Sequence, residues 1–147
     1  MDPSQQAQPI TILLVEDNPG DVRLVKEVFK DGKVVNSLVV AKDGVEALAI
    51  LHDPSKEVPD LILLDLNLPR KRGLEVLDEI KSDPHLKRIP VIVLTTSSAE
   101  EDIYKSYDLY ASAYLNKPVA LEEFITVIRN LENFWLSVVK YPPKNRP

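Results

Sequence analysis

Short aliphatic runs and amphipathic segments alternate five times along this chain. The runs lack the polar alternation of a half-exposed strand, so we predict five strands that are buried on both faces. These strands cover residues 10–15, 34–41, 61–65, 90–94 and 111–116. Apolar residues three or four positions apart follow the runs, which predicts a helix after each strand. Five successive strand–helix units predict an α/β domain with one parallel sheet and helices on both of its faces.

Polar residues at the predicted helix starts indicate where the helices begin. Asn18 is a good N-cap for the first helix, and a proline follows it directly. Asp43 with Glu46, and Ser98 with Glu101, predict capping boxes at the second and fourth helices. The apolar positions that we expect to face the core are Val45, Leu48 and Leu51 in the second helix, and Leu121, Phe124, Ile125, Ile128 and Leu131 in the last.

Charged and hydroxyl side chains follow four of the predicted strands. Glu16 and Asp17 come after the first strand, Asp65 ends the third, Thr95 follows the fourth and Lys117 follows the fifth. Each has an ordinary explanation when taken alone, as a helix cap, a solvated strand end, a turn residue or a surface lysine. In a parallel sheet, however, all of them meet at one edge. Crowded carboxylates are unfavourable unless a cation lies among them, so we predict a metal site at this edge.

Composition narrows the functional classes. The chain has 147 residues and 44% hydrophobic residues, which suits one domain with an ordinary core. It has no cysteine, no apolar run of membrane-spanning length and no signal-peptide pattern, so we expect a cytoplasmic protein without a membrane partner. The formal charge of −5 gives no broad attraction for nucleic acid, so we expect no direct DNA binding.

Four motifs in order resemble the receiver domain of two-component response regulators. They are residues 15–18 (Val-Glu-Asp-Asn), 64–69 (Leu-Asp-Leu-Asn-Leu-Pro), 94–96 (Leu-Thr-Thr) and 116–118 (Asn-Lys-Pro). Each motif is weak alone, whereas all four after aliphatic strands make a strong joint signal. The resemblance covers roughly residues 10–132 and is closest to the small regulators paired with cyanobacterial phytochromes. It implies a single flavodoxin-like, doubly wound (βα)5 domain whose parallel strands are ordered 2-1-3-4-5.

The resemblance also implies a magnesium site. By matching positions, Asp17 and Asp65 ligate Mg²⁺ directly, and the backbone carbonyl of Asn67 is a third protein ligand. Glu16 acts through a coordinated water. Hard oxygen ligands with retained waters suit Mg²⁺.

The same resemblance assigns the phosphoryl chemistry. Asp65 is the nucleophile that takes a phosphoryl group from the phosphohistidine of a sensor histidine kinase. Lys117 and Thr95 contact phosphoryl oxygens, and Tyr114 is the aromatic switch residue that turns inward when Thr95 moves. The bond between Lys117 and Pro118 matches a cis peptide of the family.

Two positions depart from the family pattern. Arg72 stands where an acid usually precedes the glycine, and it ends a run of three cations that starts at Arg70. Thr96 stands where a smaller residue is common. The cations could steer an acidic partner or alter the acyl-phosphate lifetime, and the sequence leaves both alternatives open.

Three segments organise the chain: a flexible tail over residues 1–9, the receiver domain over 10–132, and a helix extension with a tail over 133–147. An apolar stripe that the core no longer needs continues past the expected end of the last helix, so we expect a homodimer or kinase-docking surface there. It consists of Phe134, Trp135, Leu136, Val138 and Val139. Tyr104 and Tyr107 are either half-buried in helix packing or part of a partner surface.

The leading functional hypothesis is a stand-alone receiver, phosphorylated by a phytochrome-like sensor histidine kinase, that switches contact with an unidentified downstream protein. It is then not an enzyme beyond self-catalysed phosphotransfer and slow autodephosphorylation. A flavin carrier of the same fold is disfavoured because Glu16 and Asp17 replace a phosphate-binding loop. A phosphohydrolase would need a second acid where Asn67 stands, and a degenerate receiver would lack the intact acidic and lysine positions.

Overall fold

The computed structural model describes residues 10–32, 36–136 and 139–143. Five parallel strands form one sheet of order β2-β1-β3-β4-β5, which confirms the predicted fold and strand order. The strands are β1 (Ile10–Val15), β2 (Asn36–Ala41), β3 (Leu61–Leu64), β4 (Val91–Thr95) and β5 (Ala113–Asn116). The helices are α1 (Pro19–Lys30), α2 (Gly44–His52), α3 (Gly73–Ser82), α4 (Glu100–Asp108) and α5 (Leu121–Leu131), and a π-helical turn (Glu132–Leu136) continues α5.

The central strands are buried on both faces, because helices cover each side of the sheet. Helices α1 and α5 pack on one face, where Phe29 and Ile128 are buried against β1 and β3. Helices α2 and α3 cover the other face, where Leu48 and Leu77 join the second core. Among the described helices, none combines the length and apolar character needed to span a bilayer.

Helix starts agree with the sequence at two of the three predicted caps. The Asn18 side chain accepts hydrogen bonds from the backbone N–H groups of Gly20 and Asp21, at 2.9 and 3.1 Å. The Asp43 carboxylate accepts from the Glu46 N–H at 2.8 Å. The prediction for Ser98 is wrong.

Ser98 does not cap α4, because that helix begins one residue later, after Ala99, without any side-chain cap. Three acids in its first turn complement the positive end of the helix dipole instead. The neighbouring hydroxyl of Ser97 donates to the Asp102 carboxylate at 2.6 Å, which ties the first turn to the preceding loop.

Two residues predicted to face the core are exposed, namely Val45 at 42% and Leu121 at 63%. Both lie in the first turn of their helices, α2 and α5. The later residues Leu48 and Phe124 are buried as expected. The apolar stripe therefore identified the face of each helix that packs on the core. It did not show that the first turn of each helix lies outside the core.

Strand β5 begins at Ala113, two residues later than predicted. The preceding Ala111 N–H donates to the Ser106 carbonyl at 2.9 Å and so belongs to the turn that ends α4. Tyr110 has a φ of 67° within this turn. A non-glycine residue is uncommon in this left-handed region, so Tyr110 gave no sign of a turn in the sequence. The apolar residues around it were therefore assigned to the strand.

The segment after α5 packs partly onto the core. Leu136 is buried and Trp135 is half-buried against the α1–α5 face, whereas Phe134 is 53% exposed. The Tyr141 hydroxyl donates to the Trp135 carbonyl, so the Tyr141 side chain lies beside the π-helical turn. The expectation that this whole apolar extension lacks an internal partner is therefore wrong for Leu136 and for much of Trp135. Val138, which belongs to the same predicted stripe, lies outside the described residues.

A glycine allows the close contact between α1 and this extension. A Cβ on Gly32 would lie 1.7 Å from a carboxylate oxygen of the buried Glu132. All the atoms within this distance belong to the end of the Glu132 side chain, so a residue larger than glycine would push the Glu132 carboxylate aside.

Candidate functional site

The predicted site residues lie together at the carboxyl edge of the sheet. The backbone N–H of Glu16 donates to the Ala41 carbonyl at 2.9 Å, and that of Asp65 to the Val15 carbonyl at 3.1 Å. The Lys117 N–H donates to the Thr95 carbonyl at 2.8 Å. The strand ladder thus continues one residue past β1, β3 and β5, which fixes the backbone at each functional position.

Three carboxylates converge at this edge. Glu16, Asp17 and Asp65 each offer one oxygen, and these oxygens all lie within 4.8 Å of one another. Glu16 and Asp65 are buried, while Asp17 faces solvent. Close carboxylate oxygens with one open side are a donor set that suits a hard divalent cation such as Mg²⁺ or Mn²⁺. The residues present therefore fit the predicted metal.

Asn67 lies beside the Asp65 carboxylate. Its backbone N–H donates to Asp65 Oδ1 at 3.1 Å. Its side-chain amide reaches the hydroxyls of Thr95 and Thr96, both at 3.4 Å. The role of the Asn67 carbonyl as a metal ligand stays a prediction. The contact with Thr96 indicates that the unusual hydroxyl at that position belongs to the same polar network as Thr95.

Lys117 is the cation of the site, and it is almost completely buried. Its ammonium contacts Glu16, Asp21 Oδ2 at 3.0 Å and Asp65 Oδ2 at 3.1 Å. Asp21 was missed from the sequence because an acid in the first turn of α1 is already explained by the helix dipole. Its only further signal was its position four residues after Asp17, which places both acids near the start of the same helix.

The pKa values of the two buried acids, Glu16 and Asp65, are shifted in opposite directions. Burial raises the pKa of Glu16 to about 7, because the hydrogen bond from Lys117 offsets only part of that effect and the Asp65 charge adds to it. Burial also acts to raise the pKa of Asp65, but the Asn67 N–H and the charge of Lys117 outweigh it and hold this pKa below its ordinary value. Burial acts to lower the pKa of Lys117, and its contact with Glu16 reverses the sign and raises it. Asp65 is therefore ionised at neutral pH and faces a charged ammonium.

The predicted switch residues are linked through one loop residue. The Tyr114 hydroxyl donates to the Ser97 carbonyl at 2.7 Å, and the Asn116 amide donates to the same carbonyl at 2.7 Å. The Ser97 N–H in turn lies 3.4 Å from the hydroxyl of Thr95, which is fully buried. Ser97 and Asn116 were not predicted, since their role depends on a loop conformation that no local pattern indicates.

The loop after Asp65 holds two of its three cations in ion pairs. Arg70, with a φ of 67°, donates to the Asp43 carboxylate at 3.1 Å. Lys71 donates to Glu79 at 2.7 Å. Arg72 is exposed and directly precedes α3. Only Arg72 among these three cations is without an ion pair in the described part of the chain, so the positive charge available to a partner is smaller than the sequence suggests.

Gly73 lets α3 start in direct contact with the backbone of Asp65. A Cβ there would lie 2.4 Å from the Asp65 carbonyl oxygen and 2.5 Å from the Leu66 Cα. Both are backbone atoms that cannot rotate away. Gly73 therefore positions Asp65, a role that the sequence pattern did not reveal.

One family expectation is contradicted. The described residues contain no cis peptide bond, so the bond between Lys117 and Pro118 is trans.

The predicted interface residues lie on other elements. Tyr104 and Tyr107 are 70% and 50% exposed on α4, so much of each ring is open to a partner, and for Tyr104 most of it. Phe134 and Trp135 make an edge-to-face contact in the π-helical turn, with ring centroids 6.0 Å apart.

A doubly wound sheet of this strand order, with a buried aspartate between a carboxylate pair and a lysine, defines the receiver class of signalling domain. The sequence model of the response regulator receiver domain matches residues 12–129, and the chain belongs to this family.

The similar proteins are regulators of the same small type. The response regulator Rcp1 of Synechocystis sp. is 47% identical over 138 residues, which cover 91% of this chain and 94% of Rcp1. The crystal structure of the Mn²⁺-bound form of Rcp1 superposes with a TM-score of 0.90 and covers 92% of this chain and 100% of that chain. The phosphorylated cyanobacterial phytochrome response regulator RcpA has a TM-score of 0.89 at 47% identity, again over 92% of this chain and 100% of that chain. The predicted resemblance to phytochrome-associated regulators is thereby confirmed.

Proposed function

We propose that this protein accepts a phosphoryl group on Asp65 from a phytochrome-like sensor histidine kinase in the cytoplasm. The observation that carries the proposal is the environment of Asp65. Its carboxylate is buried, ionised at neutral pH and 3.1 Å from Lys117, with the oxygens of Glu16 and Asp17 close by. A carboxylate held in this way can act as a nucleophile. The Lys117 ammonium is already in place to offset the negative charge that the phosphoryl group brings.

The transfer exchanges one bond for another. A carboxylate oxygen of Asp65 attacks the phosphorus of the kinase phosphohistidine, the P–N bond breaks, and its electron pair returns to the imidazole. Lys117 moves from the Asp65 oxygen to a phosphoryl oxygen, and the Thr95 hydroxyl donates to another. Asp17, Asp65 and the Asn67 carbonyl would hold Mg²⁺, with Glu16 acting through water, and the bound ion would offset charge on the incoming group.

The kinase assignment is supported by similarity. RcpA, which is 47% identical, is described as a cyanobacterial phytochrome response regulator and was crystallised phosphorylated. Rcp1 was crystallised with Mn²⁺, a cation with the same preference for oxygen ligands as Mg²⁺. Both observations concern those proteins, and they support the same donor class and the same type of cation here.

The proposed output is a conformational change in the loop after β4. Once Thr95 turns its hydroxyl toward the phosphoryl group, it stops accepting from the Ser97 N–H. The Ser97 loop can then shift, which breaks the 2.7 Å hydrogen bond from Tyr114 and lets this ring turn inward. Phosphorylation adds a charge of about −2, which is enough to favour one of two states that differ by a few kcal/mol.

The proposed contact surface includes Tyr104 and Tyr107 on α4, and Phe134 and Trp135 after α5. These residues serve a homodimer, the kinase or the downstream protein. Phe134→Ala is the cleaner test because its ring is 53% exposed, whereas Trp135 also packs on the core. We expect a smaller particle in sedimentation, or weaker kinase binding, with an unchanged melting temperature. If both size and affinity match the parent, this surface is not used.

Phosphorylation is tested by incubating the protein with acetyl phosphate and Mg²⁺ and measuring its intact mass. We expect the mass of one added phosphoryl group on the parent, and none on Asp65→Asn or in the presence of a chelator. Asp53→Asn removes an exposed carboxylate elsewhere and should be labelled like the parent. An equal label on Asp65→Asn would overturn the assignment of the acceptor.

A further inference from the structure

Both histidines of the chain line a single groove at the far end of α2 and α3. The groove has a volume of about 710 Å³ and is lined by Leu48, His52, Glu79, Ser82, Asp83, Pro84 and His85. His52 is the last residue of α2, and Asp83 directly follows α3. Both helices begin near the carboxyl edge of the sheet, so their C-terminal ends meet at the opposite edge. The groove is therefore separate from the acidic site around Asp65.

The closest polar pair in this groove has the spacing of two ligands of one ion. His52 Nδ1 lies 3.8 Å from Asp83 Oδ2, which is too long for a hydrogen bond. Nitrogen and carboxylate ligands each lie about 2.0–2.2 Å from a zinc ion, so two of them are about 3.4 Å apart in a tetrahedron and at most about 4.3 Å apart. The observed separation falls within this range, and it leaves room for a cation between the two side chains.

The second oxygen of Asp83 is already held in place. The His85 N–H donates to Asp83 Oδ1 at 2.7 Å, which aims Oδ2 at His52. The N–H groups of Leu86 and Lys87 both donate to the Asp83 carbonyl, at 3.1 and 2.8 Å. These hydrogen bonds fix Asp83. In this structure the ligand atoms of His52, Asp83 and His85 do not all lie within 4.8 Å of one another, so the exposed imidazole of His85 has to turn toward the groove when an ion binds.

The surrounding charge favours a cation. The C-terminal ends of two helices each carry about half a negative charge, and both lie beside the groove. Glu79 adds a carboxylate, of which one oxygen is engaged by Lys71 at 2.7 Å. Imidazole with carboxylate suits zinc, nickel or copper, whereas an oxygen-only set suits magnesium. The two sites on this protein thus have different metal preferences.

We propose that His52, Asp83 and His85 form a second metal site, specific for a transition-metal dication of the zinc type. The ion joins the end of α2 to the turn between α3 and β4, and water completes its coordination. Because the ion binds only the folded arrangement, it stabilises the protein by mass action.

The test uses untagged protein with Asp17→Asn, which weakens the acidic site, in the presence of excess Mg²⁺. Zn²⁺ is added while the imidazole proton resonances are followed by NMR; with only two histidines, each is resolved separately. We expect both histidines to respond together and to saturate at one equivalent of Zn²⁺. Calorimetry should show that His52→Gln, His85→Gln and Asp83→Asn each weaken binding by about tenfold or more.

Asp108→Asn is the matched control, since it removes an exposed carboxylate on α4 and should leave Zn²⁺ affinity unchanged. A response of one histidine alone overturns the proposal, as does His85→Gln with the affinity of the parent. Either result would mean that Zn²⁺ binds a single surface imidazole. Unchanged circular dichroism of the variants without metal excludes misfolding as the cause of lost binding.

Discussion

Lys117 neutralises the acidic edge of the sheet, and replacing it with methionine tests how that edge is stabilised. The Lys117 side chain is 4% exposed, and its buried partners Glu16 and Asp65 are 3% and 7% exposed. Lys117→Met keeps the apolar stem and removes only the charge. Removing one member of a buried ion pair costs about 3–5 kcal/mol, because the remaining charges lose their compensation.

Protonation of Glu16 limits this cost at neutral pH. The pKa of Glu16 is already about 7, against an ordinary value of 4.5, and loss of the Lys117 charge raises it further. An acid whose pKa is raised on folding destabilises the fold as the pH increases through that pKa. We therefore expect about 3 kcal/mol at pH 7, a smaller deficit at pH 6 and a larger one at pH 8.

The assay is thermal unfolding in chelator. For a chain of this length, 1 kcal/mol corresponds to about 2–4 °C, so Lys117→Met should melt about 6–12 °C below the parent at pH 7. Lys105→Met is the matched control: it removes a lysine whose ion pair with Glu101 is largely exposed, and it should cost less than about 1 kcal/mol. Mg²⁺ should raise the melting temperature of Lys117→Met more than that of the parent, since the site has become more negative.

The result that refutes this reasoning is a Lys117→Met variant that melts within about 2 °C of the parent, or no further below it than Lys105→Met does. Either outcome would mean that uncompensated negative charge on the buried carboxylates does not destabilise the protein in the absence of metal. A deficit that stays constant between pH 6 and pH 8 would contradict the assigned role of Glu16.

Two further predictions concern the same edge. Asp17→Asn removes an exposed repelling charge, so in chelator it should stabilise the protein by about 1 kcal/mol and should abolish the rise in melting temperature with Mg²⁺; a lower melting temperature in chelator would contradict this. Gly73→Ala forces a Cβ against the backbone of Asp65 and Leu66, so it should destabilise by about 1–3 kcal/mol and slow labelling by acetyl phosphate. Equal labelling rates would show that the close contact does not position the acceptor.

The sequence predicted those site residues whose positions depend only on the strands of the sheet. Glu16, Asp65 and Lys117 directly follow strands, and Thr95 is the last residue of one. The aliphatic runs that predict these strands are clear in the sequence, and parallel pairing brings the strand ends together. Asp21 was not predictable in the same way, because its contact with Lys117 spans 96 positions and depends on the tertiary arrangement that brings the first turn of α1 to the residue after β5.

Side-chain surroundings also changed one expectation and bear on one alternative that the sequence had left open. The hydrophobic stripe after α5 suggested surface left over for a partner, yet Leu136 is buried in the core and Trp135 is partly so. Tyr104 and Tyr107 looked equally suited to packing and to a partner, and the orientation of α4 leaves both exposed. Helical periodicity identifies a face, but it does not show what that face meets.

By itself, the sequence determined the strand–helix alternation, the family and the edge of the sheet at which the charged side chains meet. These follow from local patterns: aliphatic runs too apolar to be exposed, caps that start helices, and charges at strand ends. Only the tertiary structure decided which charges touch, since contact distances depend on the packing of elements far apart in the chain. Three such contacts arise where separate helices and loops converge: Lys117 with its three carboxylates, Gly73 with the backbone of Asp65, and His52 with Asp83. No local sequence pattern encodes this convergence.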